Sequence, residues 1–152
     1  MHDVKIRAAV MEDIPAIASL NGELGYPTTP EEMHPRVESI LVLPDEHTLL
    51  VATVDDAVSA WIQVSLVASI ESGTFAEIRG LVVHALHRSL GIGALLVSAA
   101  EQWALARGMA RIRVRSNVIR ERTHAFYERL GYGVKKEQKV FEKMLDYTER
   151  SS

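Results

Sequence analysis

The chain has 152 residues, no cysteine and a net charge of -3, with 47% hydrophobic and 24% charged residues. That length fits one domain with its own core, expected over 1–147 with a loose tail at 148–152. The composition excludes disulfides, thiolate-metal sites and a cysteine nucleophile, argues against non-specific nucleic-acid binding, which needs a clustered positive surface, and offers no apolar run near the ~18 residues of a membrane span.

In chain order, "VKIRAAV" (4–10) alternates as a short strand. The start carries neither the basic nor the long apolar region of a signal peptide, which suits a cytoplasmic protein. In "EDIPAIASLNGELG", Asp13 can cap a helix, Pro15 suits its first turn, and Ile14, Ile17, Leu20, Asn21 and Leu24 recur at helical spacing. Thr29 and Glu32 then form a capping box with Pro30 at the first helical position, predicting a second helix that Pro35 bends.

"TLLVATVDDAVSAWIQVSLVAS" reads as two long strands around a turn at Asp55 and Asp56. "GTFAEIRGLVVH" is a third long strand. A helix is predicted from about Gly91 to Arg107, with Ile92, Leu95, Leu96, Ala99, Trp103 and Ala106 on its buried face and Gly108 as its stop. "ARIRVRS" (110–116) alternates strictly, and "NVIRERTHAFYERLGYG" forms a shorter helix closed by Gly131. "VKKEQKVFEKML" supplies two short strand-like runs. The order predicts an α/β (α+β) domain: a mixed, mostly antiparallel sheet of about seven strands with a central parallel pair, and about four helices.

The stretch "LVVHALHRSLGIGALL" combines Arg88, Gly91 and Gly93 where a strand feeds a helix N-terminus. Such an end exposes unpaired N–H groups and partial positive charge, which stabilise phosphate if no side chain blocks the approach. On these residues alone a tight turn with packing glycines is an equal reading. The stretch resembles the acetyl-CoA-binding motif of the GNAT superfamily of N-acetyltransferases, an Arg or Gln followed after two residues by Gly-x-Gly/Ala. "SNVIRERTHAFYERLGY" resembles that family's later motif, with Asn117 after a strand and Tyr127 on a helix. The chain departs from the family at Asp56, Ala57 and Ala60, where glycines are common, and at Ala85, a frequent proline site. A Rossmann site would need a third glycine where Leu96 stands.

The resemblance implies a GNAT domain in which Leu81, Val82 and Val83 pair with the pantetheine arm of acetyl-CoA. The amides of Ser89, Leu90, Gly91, Ile92, Gly93 and Ala94, with Arg88, would surround the pyrophosphate, and Asn117 and Tyr127 would also touch the cofactor. It implies acetyl transfer to a primary amine by direct attack in a ternary complex. The acceptor is expected to be a small molecule, aminoglycoside-like, a polyamine or an amino acid. A protein lysine or N-terminus, or a non-catalytic acyl-CoA sensor, is the alternative. An ammonium titrating near 10 must lose a proton before attack, whereas a free glutamate titrates near 4.3, so a base must be retuned or act through water. "FAEI" is similar to the segment bearing the catalytic glutamate in histone-acetylating members and nominates Glu77, against a structural pairing with Arg79 on the same strand face. Tyr127 is expected to meet the departing sulfur, by hydrogen bonding more than by full proton donation.

His84, His87 and His124 give no metal-ligand cluster, so no metal is expected. Arg111, Arg113 and Arg115 read as a solvated or inter-subunit strand face, and Glu12, Asp13, Glu23 and Glu31 as helix-start carboxylates that also suit a cationic amine. Neither nucleic acid nor membrane is an expected partner. A homodimer is expected on the family's habit alone.

Overall fold

The computed structural model describes residues 2–115 and 121–145. The chain divides into two compact units, Met1–Arg115 and Ser116–Ser152. The expected tail at 148–152 lies outside the described residues, as does Asn117.

The first unit is built on a five-stranded sheet in sequence order: β1 (Val4–Ala8), β2 (His47–Val54), β3 (Ala57–Ser69), β4 (Gly73–Val83) and β5 (Ile112–Val114). The first four run antiparallel and β5 is parallel to β4, with Ala76 opposite Ile112 and Ile78 opposite Val114. The β2–β3 hairpin turns at Asp55 (φ 50) and Asp56 (φ 70). Two left-handed residues match the twist of the flanking strands, and aspartate tolerates that conformation better than most residues.

Helices α1 (Ile14–Glu23) and α2 (Pro30–Leu41) cover one sheet face, where Ile17, Leu20, Met33 and Val37 pack on Leu49, Val51, Trp61 and Val82. The capping box that starts α2 forms as predicted: Glu32 N donates to Thr29 Oγ1 (3.1 Å) and Thr29 N to Glu32 Oε1 (3.2 Å). Asp13 does not cap α1 through its side chain. Its buried carboxylate instead accepts from Arg7 (2.7 and 2.9 Å) and from Val10 N (2.9 Å). The Arg7 hydrogen bonds outweigh burial and hold the carboxyl below its ordinary value. A depressed folded value stabilises the fold above the unfolded titration and loses that stabilisation as pH falls through the folded one. Asp13→Asn is therefore expected to cost about 1–3 kcal/mol at pH 7, with the gap to the unmodified protein closing in melts as pH falls through that lowered value.

Helix α3 (Ile92–Ala106) covers the other face, toward Ala60, Ile62, Val64 and Ile78. It is rotated from the predicted orientation. Ile92, Leu96, Val97, Ala100 and Ala104 are buried, whereas Leu95 is 49% exposed and Ala106 is exposed. The helix is apolar almost all round, so periodicity could not choose the buried stripe. Gly108 (φ 77) ends it as expected.

The second unit carries α4 (Glu121–Arg129), followed by Gly131 at φ 93. The two strand-like runs expected in "VKKEQKVFEKML" do not form, so the sheet has five strands among the described residues rather than about seven. Val134, Val140, Phe141, Met144 and Leu145 are each more than 60% exposed. A strand-like run makes a strand only where an edge supplies hydrogen bonds and a face buries the apolar side chains.

Candidate functional site

The site begins with a defect in β4. Gly80 lies opposite Gln63 and Ile78 opposite Val64, leaving Arg79 as an extra residue, a β-bulge. The bulge raises the local twist, and β4 parts from β5 beside it. Pairing ends at Ile78 and Val114, while β4 continues to Val83. Among the described residues no strand lies along that edge of Arg79–Val83, although β3 pairs with the other edge as far as Val83. Backbone groups on that edge without a strand partner suit pairing with an extended, peptide-like ligand.

Trp61 fixes the floor of this stretch. A Cβ at Gly80 would come within 2.8 Å of Trp61 Cη2 and Cζ3, closer than carbon atoms pack. Gly80→Ala is therefore expected to lower stability by about 1–3 kcal/mol through overpacking, visible as a lower melting temperature.

Beyond Val83 the chain makes a 3-10 segment, Ala85–Leu90, and reaches Gly91 at φ 74, which caps the N-terminus of α3. A left-handed residue there favours glycine, and a Cβ on Gly91 would meet no atom within 4 Å, so the approach is open. The first amides of α3, from Ile92, Gly93 and Ala94, point outward without intrahelical acceptors. Arg88, exposed, reaches back toward Val83 O (3.4 Å). Leu81, Val82 and Val83 thus adjoin Arg88 through Ala94 along one continuous path. These residues fit acetyl-CoA: a free strand edge for the pantetheine amides, then an unobstructed helix N-terminus with a cation for the pyrophosphate.

The 3-10 segment is anchored from β3. His84 N donates to Ser59 O (2.8 Å), and the Ser59 hydroxyl shares a short hydrogen bond with His87 Nδ1. The His87 ring also meets those of His2 (5.6 Å between centroids) and His84 (5.7 Å). Among the described residues no group of three His, Asp or Glu is arranged to hold a metal. Nothing in the sequence linked residue 59 to residue 87; that pairing depends on strand register.

Glu77 is 2% exposed on β4. Oε1 accepts a short hydrogen bond from Arg79 Nη1, and Oε2 faces Arg115 Nε at 3.4 Å. The Arg79 pairing follows from strand period, whereas Arg115 comes from beyond β5 and had no local signal. Arg111, exposed, and Arg113, half-buried, lay their guanidinium groups over Phe75 (5.5 and 4.0 Å). In the first unit, Glu12 and Glu31 line an open hollow of about 720 Å³ between the N-terminal turns of α1 and α2.

In the second unit Tyr127 sits on α4, 7% exposed, with its ring edge-on to Phe126 (5.0 Å) and Tyr132 (5.5 Å). Burial pushes its phenol up to about 12.

No helix among the described residues is long and apolar enough to cross a membrane. No curated protein matches the sequence. Solved structures match the fold closely. A transcriptional regulator from Bacillus halodurans C-125 is 24% identical, with a TM-score of 0.83 over 93% of this chain and 100% of the other. An aminoglycoside antibiotic 6'-N-acetyltransferase from Acinetobacter baumannii is 18% identical (TM-score 0.82, 95% and 100% covered). A glucosamine-6-phosphate N-acetyltransferase from Arabidopsis thaliana is 24% identical (TM-score 0.78, 95% and 99% covered). The family model for acetyltransferases of the GNAT family matches residues 14–132, running through both units, and the chain belongs to that enzyme family.

Proposed function

We propose that this protein is an acetyl-CoA-dependent N-acetyltransferase that moves the acetyl group to a primary amine of a small molecule by direct attack in a ternary complex. The observation that carries this reading is the free edge of β4 from Arg79 to Val83, continuous with the glycine-opened N-terminus of α3. Acetyl-CoA supplies an activated acyl group as a thioester. A backbone N–H of Leu81–Val83 donates to the thioester oxygen as negative charge grows on it. Arg88 and the first amides of α3 hold the pyrophosphate, and Asn117 adds a side-chain contact.

Glu77 takes up the amine's proton through water, because both of its oxygens already face guanidinium groups and a direct approach is crowded. Carboxylate oxygens accept more than one hydrogen bond, so the pairing leaves room for a water. Tyr127 donates a hydrogen bond to the sulfur as it leaves. An amino sugar is the favoured acceptor class: two structural neighbours are named for aminoglycosides and for glucosamine 6-phosphate. Glu12 and Glu31 would attract the cationic amine to the hollow they line.

The test is release of free CoA thiol from acetyl-CoA against aminoglycosides, amino-sugar phosphates, polyamines, amino acids and lysine peptides. Turnover with one class establishes the enzyme and names its acceptor. Tight binding of acetyl-CoA with no thiol release across the panel would instead favour an acyl-CoA sensor.

A further inference from the structure

We propose that Ser59 is a positioning residue for the cofactor: through His87 it sets the 3-10 segment that carries Arg88 to the pyrophosphate. This inference rests on the acetyl-CoA reading above. Ser59 is 3% exposed on β3, yet its hydroxyl is turned to the imidazole of a residue outside the sheet. Its carbonyl also accepts from His84 N (2.8 Å), so one residue grips both ends of a four-residue span.

Inside that span His87 N donates to His84 O (2.9 Å), and Leu86 N to His84 Nδ1 (3.1 Å). The backbone from 84 to 87 is thereby closed on itself and tied to the sheet. Arg88 follows His87 directly, and among the described residues its side chain has one longer contact, to Val83 O at 3.4 Å. Arg88, Ser89, Leu90 and Gly91 are exposed, so little packing holds this stretch apart from the tether. A buried hydroxyl without a partner is costly, which makes the Ser59–His87 bond persistent and the segment's direction fixed. An anion site built from one guanidinium and a few amides needs that fixed direction, since misplaced donors lose their hydrogen bonds to phosphate.

The effect should be confined to the half of the cofactor that reaches Arg88. Ser59→Ala, His87→Ala and the double variant are compared for binding of acetyl-CoA by calorimetry, and of S-acetylpantetheine, which lacks the pyrophosphate, by ligand-observed NMR. Each single variant is expected to weaken acetyl-CoA about 5- to 30-fold, the worth of one buried hydrogen bond. The double variant should be no worse than the weaker single one, because both remove the same tether. Binding of S-acetylpantetheine should change less than twofold.

Equal loss for both ligands would overturn the proposal, since it would mean general support of the fold. Unchanged acetyl-CoA affinity in Ser59→Ala, or in His87→Ala should the first variant not fold, would overturn it as well. Failure of the unmodified protein to bind acetyl-CoA would instead sink the cofactor reading, a result separable from either of these.

Discussion

Glu77→Gln is expected to lower turnover about 100-fold or more, the low end of what a positioned acid or base contributes. Glutamine keeps the shape of glutamate and can still accept with one oxygen. It cannot take up a proton from a water or an ammonium near neutrality. The substitution also places an amide NH2 toward Arg79 or Arg115, where donors then face donors. Both arginines reach solvent, at 47% and 66% side-chain exposure, so water relieves part of that conflict. The stability cost is accordingly about 1–3 kcal/mol, below that of breaking a fully buried pair.

The two effects separate in one experiment. Turnover at saturating acetyl-CoA and amine reads the base, and a thermal melt reads the ion pairs. A melt shifted by several degrees with turnover inside threefold would assign Glu77 to structure alone, the reading its pairing with Arg79 supports. A hundredfold loss that shrinks as pH rises, when more of the amine is already free, would assign it to proton removal.

Much of this architecture was legible because its signals are local. Asp55-Asp56 between two long strand-forming runs marks a hairpin, Thr29 and Glu32 mark a helix start, and Gly91 and Gly108 sit where the backbone turns left-handed. The features that complete the site are not local. The Arg79 bulge is one extra residue in an otherwise ordinary strand, and its existence depends on how β3 and β4 are registered. Ser59 meets His87, and Arg115 meets Glu77, only because the topology brings distant segments together. Where the local signal was ambiguous it misled. The apolar faces of α3 were interchangeable in sequence, and the two short strand-like runs from Val134 to Leu145 stay irregular, with their apolar side chains exposed.

Tyr127→Phe is expected to lower turnover about 10- to 100-fold while acetyl-CoA affinity stays within twofold. Its magnitude is that of one hydrogen bond to a developing anion. Full proton donation is less favourable from the buried phenol than from a free one. Burial holds the phenol at about 12, whereas a thiol titrates near 8.5, so handing the proton over is uphill by about 3.5 units. A donor that keeps its proton still stabilises the thiolate, and most strongly when charge on sulfur is greatest. A raised phenol favours the neutral form in the folded state, so its contribution is intact below the unfolded value near 10 and is lost as pH rises through about 12. The ratio of turnover between the unmodified protein and Tyr127→Phe should therefore stay constant from pH 7 to about pH 10.5. A ratio that collapses near pH 8 or 9 would mean that a proton leaves Tyr127 within the working range, restoring the general-acid role; a ratio of one throughout would remove the residue from the chemistry.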